Sequence, residues 1–148
     1  MFIENLPGKN MNVDQKLVDF AVSIAREAGE LTLTLFNDLN LEIIKKSDGS
    51  PVTEADRGAE RLLRQRISDS FPEDSIIGEE EKNVLGSSGR TWILDPIDGT
   101  QSFINGVPLF ANLVAFEDEH GSAVGVINLP AINECIWAGR GLGCFADG

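Results

Sequence analysis

The sequence has few basic residues for its length. Its 148 residues include 12 Lys and Arg against 24 Asp and Glu, so the formal net charge is −12 at pH 7. Nucleic acids and anionic membrane surfaces attract proteins that cluster Lys and Arg. We therefore expect neither a nucleic-acid partner nor a membrane partner.

Long apolar runs are also missing. No run approaches the ~18 to 20 residues of a membrane-spanning helix. Residues 1–10 lack a basic segment followed by an apolar stretch, which is the pattern of a secretory leader. These absences predict a cytoplasmic protein.

Cysteine and histidine are too scarce to build a zinc site. Cys135 and Cys144 are too far apart for a C-x-x-C motif, and His120, the only histidine, lies in an acidic turn. We expect both cysteines to be small buried structural residues and His120 to have no catalytic role.

The first half of the sequence predicts two amphipathic helices. Apolar residues recur at helical spacing over residues 13–36, with Asn12 as the predicted N-cap, and again from near Thr53. Pro72 ends the second helix, because proline cannot continue a helix. Between the helices, residues 41–46 predict a short strand, and a turn follows it.

The rest of the chain predicts strands. Short apolar segments separated by Gly, Pro, Asn and Asp lie at residues 76–77, 92–94, 109–116, 123–129 and 135–138. Two helices followed by a run of strands favour an α+β fold with a largely antiparallel sheet, in one domain over 1–148. Residues 139–148 resemble the first strand of a pair whose return strand is missing, so we expect the chain to be a fragment.

Two acidic clusters are the candidates for chemistry. Glu79, Glu80 and Glu81 directly follow the apolar pair at 76–77, and Asp95 and Asp98 lie at the end of a predicted buried strand. Carboxylates of this kind are the ligands that Mg²⁺ prefers. The alternatives are a solvated acidic loop for the glutamates and ordinary turn residues for the aspartates.

The absence of nearby cations favours the metal interpretation. Between Arg90 and Arg140 the sequence has no Lys or Arg, so a phosphate bound here would need metal ions to supply positive charge. Gly99 and Thr100 follow Asp98, and their amides would favour an anion if a helix begins there.

Thr100 also brings a hydroxyl that can pass a proton from water to a carboxylate. Asp56 is a candidate for that carboxylate, and it is equally a candidate capping-box partner of Thr53 at the start of the second helix. The spacing of Asp95 and Asp98 fits neither an EF-hand loop nor the Asp-x-Asp motif of aspartyl-phosphate phosphatases. Direct attack by a metal-activated water is therefore favoured over an aspartyl nucleophile.

These motifs together resemble the inositol monophosphatase family of magnesium-dependent, lithium-sensitive phosphatases. The resemblance covers nearly the whole chain, in the segments Pro51-Val52-Thr53-Glu54-Ala55-Asp56, Gly78-Glu79-Glu80 and Asp95-Pro96-Ile97-Asp98-Gly99-Thr100 with Phe103. It implies a layered αβαβα sandwich, usually homodimeric, that hydrolyses small phosphomonoesters with up to three Mg²⁺.

The resemblance also implies roles for individual residues. Glu79, Asp95, Asp98 and the Ile97 carbonyl would hold metal. Gly99, Thr100 and Asp98 would contact the substrate. The catalytic set would be Asp56, Thr100 and Glu79, with Thr100 and Asp56 helping to deprotonate the attacking water.

Family members are nearly twice this length, and a further metal-binding aspartate lies in their second half. We therefore expect residues 1–148 alone to be weakly active or inactive.

Ser102-Phe103 and Gly106-x-Pro108 resemble the histidinol-phosphate phosphatase branch, so we expect histidinol phosphate as substrate, with inositol 1-phosphate as the alternative. A noncatalytic metal-binding or interaction protein is the competing class.

Overall fold

Two long helices and a six-stranded sheet make up most of residues 11–147, the part of the chain that the computed structural model describes. The helices are α1 (Gln15–Leu35), α2 (Glu54–Ser70) and the short α3 (Thr100–Ile104). The strands are β1 (Ile43–Lys45), β2 (Pro51–Thr53), β3 (Ser75–Ile77), β4 (Thr91–Asp98), β5 (Ala111–Asp118), β6 (Gly121–Leu129), β7 (Glu134–Gly139) and β8 (Gly143–Asp147). Residues 1–10, on which the leader prediction rests, lie outside the described residues.

The large sheet has the strand order β3-β4-β5-β6-β7-β8. Only the β3–β4 pair is parallel, and the other neighbouring strands of this sheet run antiparallel. β1 and β2 form a separate antiparallel hairpin. The structure thus confirms the predicted mixture of helices and a largely antiparallel sheet.

One face of the sheet is buried under α1 and α2. Along β4, Trp92 and Leu94 are buried against the helices, whereas Ile93, which points to the other face, is 36% exposed. This alternation follows from the two-residue repeat of a strand. The described residues therefore supply one helical layer and one sheet layer of a layered sandwich.

Trp92 is the centre of the larger core cluster. Its ring lies 4.9 Å from that of Phe116, 5.4 Å from Phe71 and 5.6 Å from Phe20 between ring centres. The indole N–H donates a 3.0 Å hydrogen bond to the buried carboxylate of Asp74. These contacts fix the start of β4 against the core.

The first helix begins two residues later than the sequence predicts. Its N-cap is Asp14 rather than Asn12, and the Asp14 carboxylate accepts a 2.9 Å hydrogen bond from the amide of Lys16. The predicted cap was wrong because a cap must directly precede the first helical residue, which is Gln15.

Replacing Asp14 by Ala should lower the free energy of unfolding by about 1 kcal/mol, because the first turn loses its side-chain acceptor. Urea unfolding followed by circular dichroism measures this loss. Asp19→Ala is the matched control, since Asp19 makes only an exposed hydrogen bond with Gln15 and should cost less than ~0.5 kcal/mol. An equal loss in both variants would contradict the cap.

The end of the chain also differs from the prediction. Residues 143–147 are themselves the return strand, because β8 pairs with β7 from Cys135–Asp147 to Gly139–Gly143. Gly141 and Gly143 make the reversal with positive φ angles of 76° and 101°.

Cys135 is buried as predicted, but Cys144 is exposed because all five side chains of β8 are exposed. Among the described residues, no helix has the length and apolarity required to cross a membrane.

Candidate active site

The acidic clusters meet at one edge of the sheet. β3 and β4 run parallel with Ile77 opposite Ile93, so continuing this register by two residues puts Glu79 beside Asp95. The start of α2 lies at the same place, since the Thr100 hydroxyl, just after β4, hydrogen bonds to Asp56. The structure therefore brings together three segments that are separate in the sequence.

A bulge at the end of β4 allows Asp95 and Asp98 to act together. Residues three apart in a regular strand point to opposite faces. Here Asp95 pairs with Leu113 but Asp98 pairs with Ala111, so β4 contains one extra residue between the two aspartates. The buried Asn112 side chain donates a 2.7 Å hydrogen bond to the Pro96 carbonyl and holds the bulge.

Asp95 is the most electrostatically strained group of the site. Burial, followed by repulsion from Glu79 and Asp98, raises its pKa to about 7. Its Oδ1 atom is buried and has no hydrogen-bond partner among the described residues. A buried carboxylate oxygen without a donor, close to two other carboxylates, suits a hard cation with oxygen ligands such as Mg²⁺.

Lys46 reaches the same site, although it is not among the candidate site residues drawn from the sequence. Its ammonium lies 3.0 Å from a carboxylate oxygen of Glu79 and 2.6 Å from one of Glu80. Burial alone would lower the pKa of Lys46, but the hydrogen bonds to Glu80 and Glu79 outweigh it and raise the pKa. The signal in the sequence was a loose one: Lys45 or Lys46 matches a lysine that the family resemblance implies near the active site.

Asp56 caps α2, and it also lies within hydrogen-bond distance of Thr100, the partner that its predicted catalytic role requires. Its Oδ2 atom accepts the Thr53 amide at 2.7 Å and the Thr53 hydroxyl at 2.6 Å, which completes the capping box of α2. Its Oδ1 atom lies 3.1 Å from the Thr100 hydroxyl. That hydroxyl is also 3.1 Å from the Ile97 carbonyl, and with one proton it donates to one acceptor at a time.

Gly99 makes the sharp turn from β4 into α3. It is the N-cap of α3 with φ of 89°, and a Cβ there would lie 3.3 Å from the Leu109 carbonyl oxygen. Behind this turn, Phe103 and Phe110 pack edge to face with ring centres 4.9 Å apart, against the buried Ile97. The turn that presents the Gly99 and Thr100 amides thus rests on a rigid apolar base.

The carboxylates lie close together but do not form a preorganised metal-binding site. Over residues 11–147, no group of three or more His, Cys, Asp or Glu side chains has the arrangement of a metal site. The carboxylate of Glu79 pairs instead with Lys46. The predicted roles of Glu79, Asp95, Ile97 and Asp98 as metal ligands stay predictions.

Comparison with known proteins identifies the family. A family model described as the inositol monophosphatase family matches residues 13–148. The chain belongs to the inositol monophosphatase family. Relatives include the histidinol-phosphatase of Chlorobaculum parvum, 49% identical over 131 residues, and inositol monophosphatase 1 of Sus scrofa, 39% identical over 141 residues. The first alignment covers 88% of this chain and 51% of the relative, and the second covers 90% and 50%.

Solved structures of the inositol monophosphatase family share the fold. The Thermotoga maritima IMPase matches with a TM-score of 0.82 and 34% identity over 91% of this chain and 52% of its own. The extragenic suppressor protein suhB of Bartonella henselae matches with a TM-score of 0.85 and 31% identity, over 89% and 52%. The predicted fold class is confirmed. The chain spans about half the length of the relatives it matches.

Proposed function

We propose that this chain contributes to Mg²⁺-dependent hydrolysis of a small phosphomonoester. The observation that carries the proposal is the buried, unpartnered Oδ1 atom of Asp95 beside Glu79 and Asp98. We also propose that residues 1–148 are the N-terminal part of a longer phosphatase domain, since they cover about half of each relative.

The metal-holding groups are Glu79, Asp95, Asp98 and the carbonyl of Ile97. Bound Mg²⁺ supplies positive charge for the phosphate and makes a water molecule more acidic. A bound cation would stabilise the charged form of Asp95, which burial and two neighbouring negative charges disfavour. Glu79 lies 3.0 Å from the Lys46 ammonium, so its carboxylate would be shared between Lys46 and the cation.

Thr100 and Asp56 handle the proton of the attacking water. When the Thr100 hydroxyl donates to Asp56 Oδ1, its lone pairs face away from that carboxylate and can accept a proton from water. The proton of Thr100 then passes to Asp56. The two Thr53 hydrogen bonds to Oδ2 hold the Asp56 carboxylate still, so its other oxygen stays aimed at Thr100.

The phosphate lies against the turn at Gly99. Without a side chain at Gly99, the backbone can approach the ligand closely, and the Thr100 amide is one of the first-turn N–H groups that lack a helical partner. Asp98, directly before this turn, would complete the substrate contacts that the family resemblance implies.

Histidinol phosphate is the substrate that we propose, with inositol 1-phosphate as the alternative. Ser102-Phe103 and Gly106-x-Pro108 favour the first. Relatives named histidinol-phosphatase, from C. parvum at 49% and Mycobacterium tuberculosis at 44% identity, support the same choice. We also propose a homodimeric enzyme, as the family resemblance implies, with a cytoplasmic location.

The test is phosphate release from histidinol phosphate and inositol 1-phosphate, with and without Mg²⁺. Residues 1–148 are assayed alone and as a chimera with the remaining half of the C. parvum histidinol-phosphatase. We expect Mg²⁺-dependent turnover of histidinol phosphate by the chimera and little by residues 1–148. A folded chimera that binds Mg²⁺ but releases no phosphate would favour the noncatalytic alternative, and rapid turnover by residues 1–148 would contradict the need for a second half.

A further inference from the structure

Glu60, on the buried side of α2, has a carboxylate that the proposed mechanism does not use. Its side chain is fully buried, with 0% exposure. A buried carboxylate is costly unless it is paired and hydrogen bonded, so its partners show what it does.

Within the described residues, each hydrogen bond to the Glu60 carboxylate is donated by an amide of residues 79–81, the acidic loop, or by Arg64. Its Oε2 atom accepts the amides of Glu79 at 3.0 Å and Glu80 at 2.7 Å. Its Oε1 atom accepts the amide of Glu81 at 3.0 Å and the guanidinium of Arg64 at 2.8 Å. Three consecutive backbone amides therefore converge on one carboxylate.

Arg64 completes the arrangement from the same helix. It lies one turn after Glu60, is itself almost fully buried, and donates a 3.1 Å hydrogen bond to the Glu81 carbonyl. It thus neutralises Glu60 and binds the far end of the loop. The charge of Glu60 is thus paired with Arg64 and not with the side chain of any candidate metal ligand.

Gly78 allows this close approach. A Cβ at this position would lie 2.3 Å from Glu60 Oε1 and 2.7 Å from Arg64 Nη2, distances that real Cβ atoms do not show. Any side chain at residue 78 would push the Glu60–Arg64 pair away from the loop. The glycine that precedes the three glutamates is therefore explained by Glu60.

Glu79 depends on this support because packing does not fix it. Its side chain is 48% exposed, while Glu80 is 5% exposed. Apart from the contacts with Glu60, the segment that follows β3 is hydrogen bonded to β3 mainly through the bridge between Ile76 and Val84. The backbone of Glu79 is thus held by Glu60, and its carboxylate is placed beside Asp95 as a consequence.

We propose that Glu60 is a positioning residue whose buried carboxylate sets the backbone of residues 79–81 and thereby places Glu79 beside Asp95 for metal binding. The consequence for Mg²⁺ rests on the proposed function, whereas the consequence for the loop does not. Groups that orient metal ligands typically change metal affinity by ~10- to 100-fold when they are replaced.

The test compares the 148-residue chain with its Glu60→Gln variant. A Gln side chain has one acceptor oxygen and a donor NH₂, so at least one of the three amides faces a donor instead of an acceptor. We expect amide hydrogen exchange at residues 79–81 to accelerate at least ~10-fold while Ser75–Ile77 stays protected. In calorimetric titration of the folded variant, the Mg²⁺ Kd should rise ~10- to 100-fold.

Asp74→Asn is the matched control. Asp74 is an equally buried carboxylate that binds Trp92, Ser88 and Arg90 at the opposite end of β4. This variant should lose stability but keep its Mg²⁺ affinity within about twofold, because a merely structural defect does not reach the acidic loop. Gly78→Ala should reproduce the Glu60→Gln result with the carboxylate intact, and it provides the same test if Glu60→Gln does not fold.

The outcomes separate the two proposals. Unchanged exchange at residues 79–81 in Glu60→Gln would overturn the positioning role and leave the proposed function standing. An Asp74→Asn variant that loses as much Mg²⁺ affinity as Glu60→Gln would also overturn the positioning role. The loss of affinity would then follow from any buried defect rather than from Glu60. An unchanged chain that binds no Mg²⁺ would contradict the metal site of the proposed function and the link from Glu60 to metal.

Discussion

Replacing Asp95 by Asn should remove Mg²⁺ binding and, at the same time, stabilise the metal-free chain near neutral pH. Asn keeps the shape of Asp95 but carries no charge. The affinity should fall by ~100-fold or more, because a lost ligand costs more than the ~10- to 100-fold of a lost supporting contact. The opposite effect on stability follows from the crowding of Glu79, Asp95 and Asp98.

The sign of the stability effect can be derived from the pKa of Asp95. Burial and the neighbouring carboxylates raise this pKa from 3.8 to about 7 in the folded chain. The folded state therefore holds its proton more tightly than the unfolded state, and stability is lost as pH rises from about 4 to about 7. Asp95 is only half buried, so after allowance for solvent screening the penalty is on the order of 1 kcal/mol.

Thermal unfolding without metal measures this effect. At pH 7.5 the Asp95→Asn variant should melt about 3 °C higher than the unchanged chain, and the difference should vanish near pH 4. Asp69→Asn, at an exposed position of α2, is the matched control and should change neither property. Mg²⁺ affinity equal to that of the unchanged chain would contradict the ligand role, and a lower melting temperature at pH 7.5 would contradict the repulsion.

Replacing Asp56 by Asn should lower turnover by the chimera about 100-fold or more, the usual contribution of a general base. An Asn side chain can keep its oxygen on the Thr53 amide and preserve the cap. Its NH₂ group then faces the Thr100 hydroxyl and cannot take up a proton from it. The loss should fall on kcat rather than KM, because Asp56 does not bind the substrate directly.

Two comparisons separate the proton role of Asp56 from its cap. Asp14→Ala in the chimera removes a different helix cap and should leave turnover unchanged. Thr100→Val should cost about as much as Asp56→Asn, and the double variant should cost little more than either alone, since the two residues act on one proton. Additive losses would contradict a proton shared by Asp56 and Thr100. A normal kcat in Asp56→Asn would show that Asp56 acts only as a cap of α2.

The helices and most strands could be predicted from the sequence because their signals are local. The apolar spacing of α1, the proline after α2 and the short apolar segments of β5 and β6 each depend on neighbouring residues. The N-cap at Asp14 and the hairpin of β7 with β8 were predicted wrongly. In the first, Asn12 and Asp14, two residues apart, are both residue types that cap helices well. In the second, pairing depends on a partner strand.

By itself, the sequence determined the candidate residues and the family, since the motifs around Asp56, Glu79 and Asp95 are contiguous. Only the tertiary structure decided how they act together. The β4 bulge, Lys46 beside Glu79, and the convergence of three loop amides on Glu60 join residues distant in sequence. Such contacts leave no local pattern, because burial and charge pairing depend on which segments the sheet brings side by side.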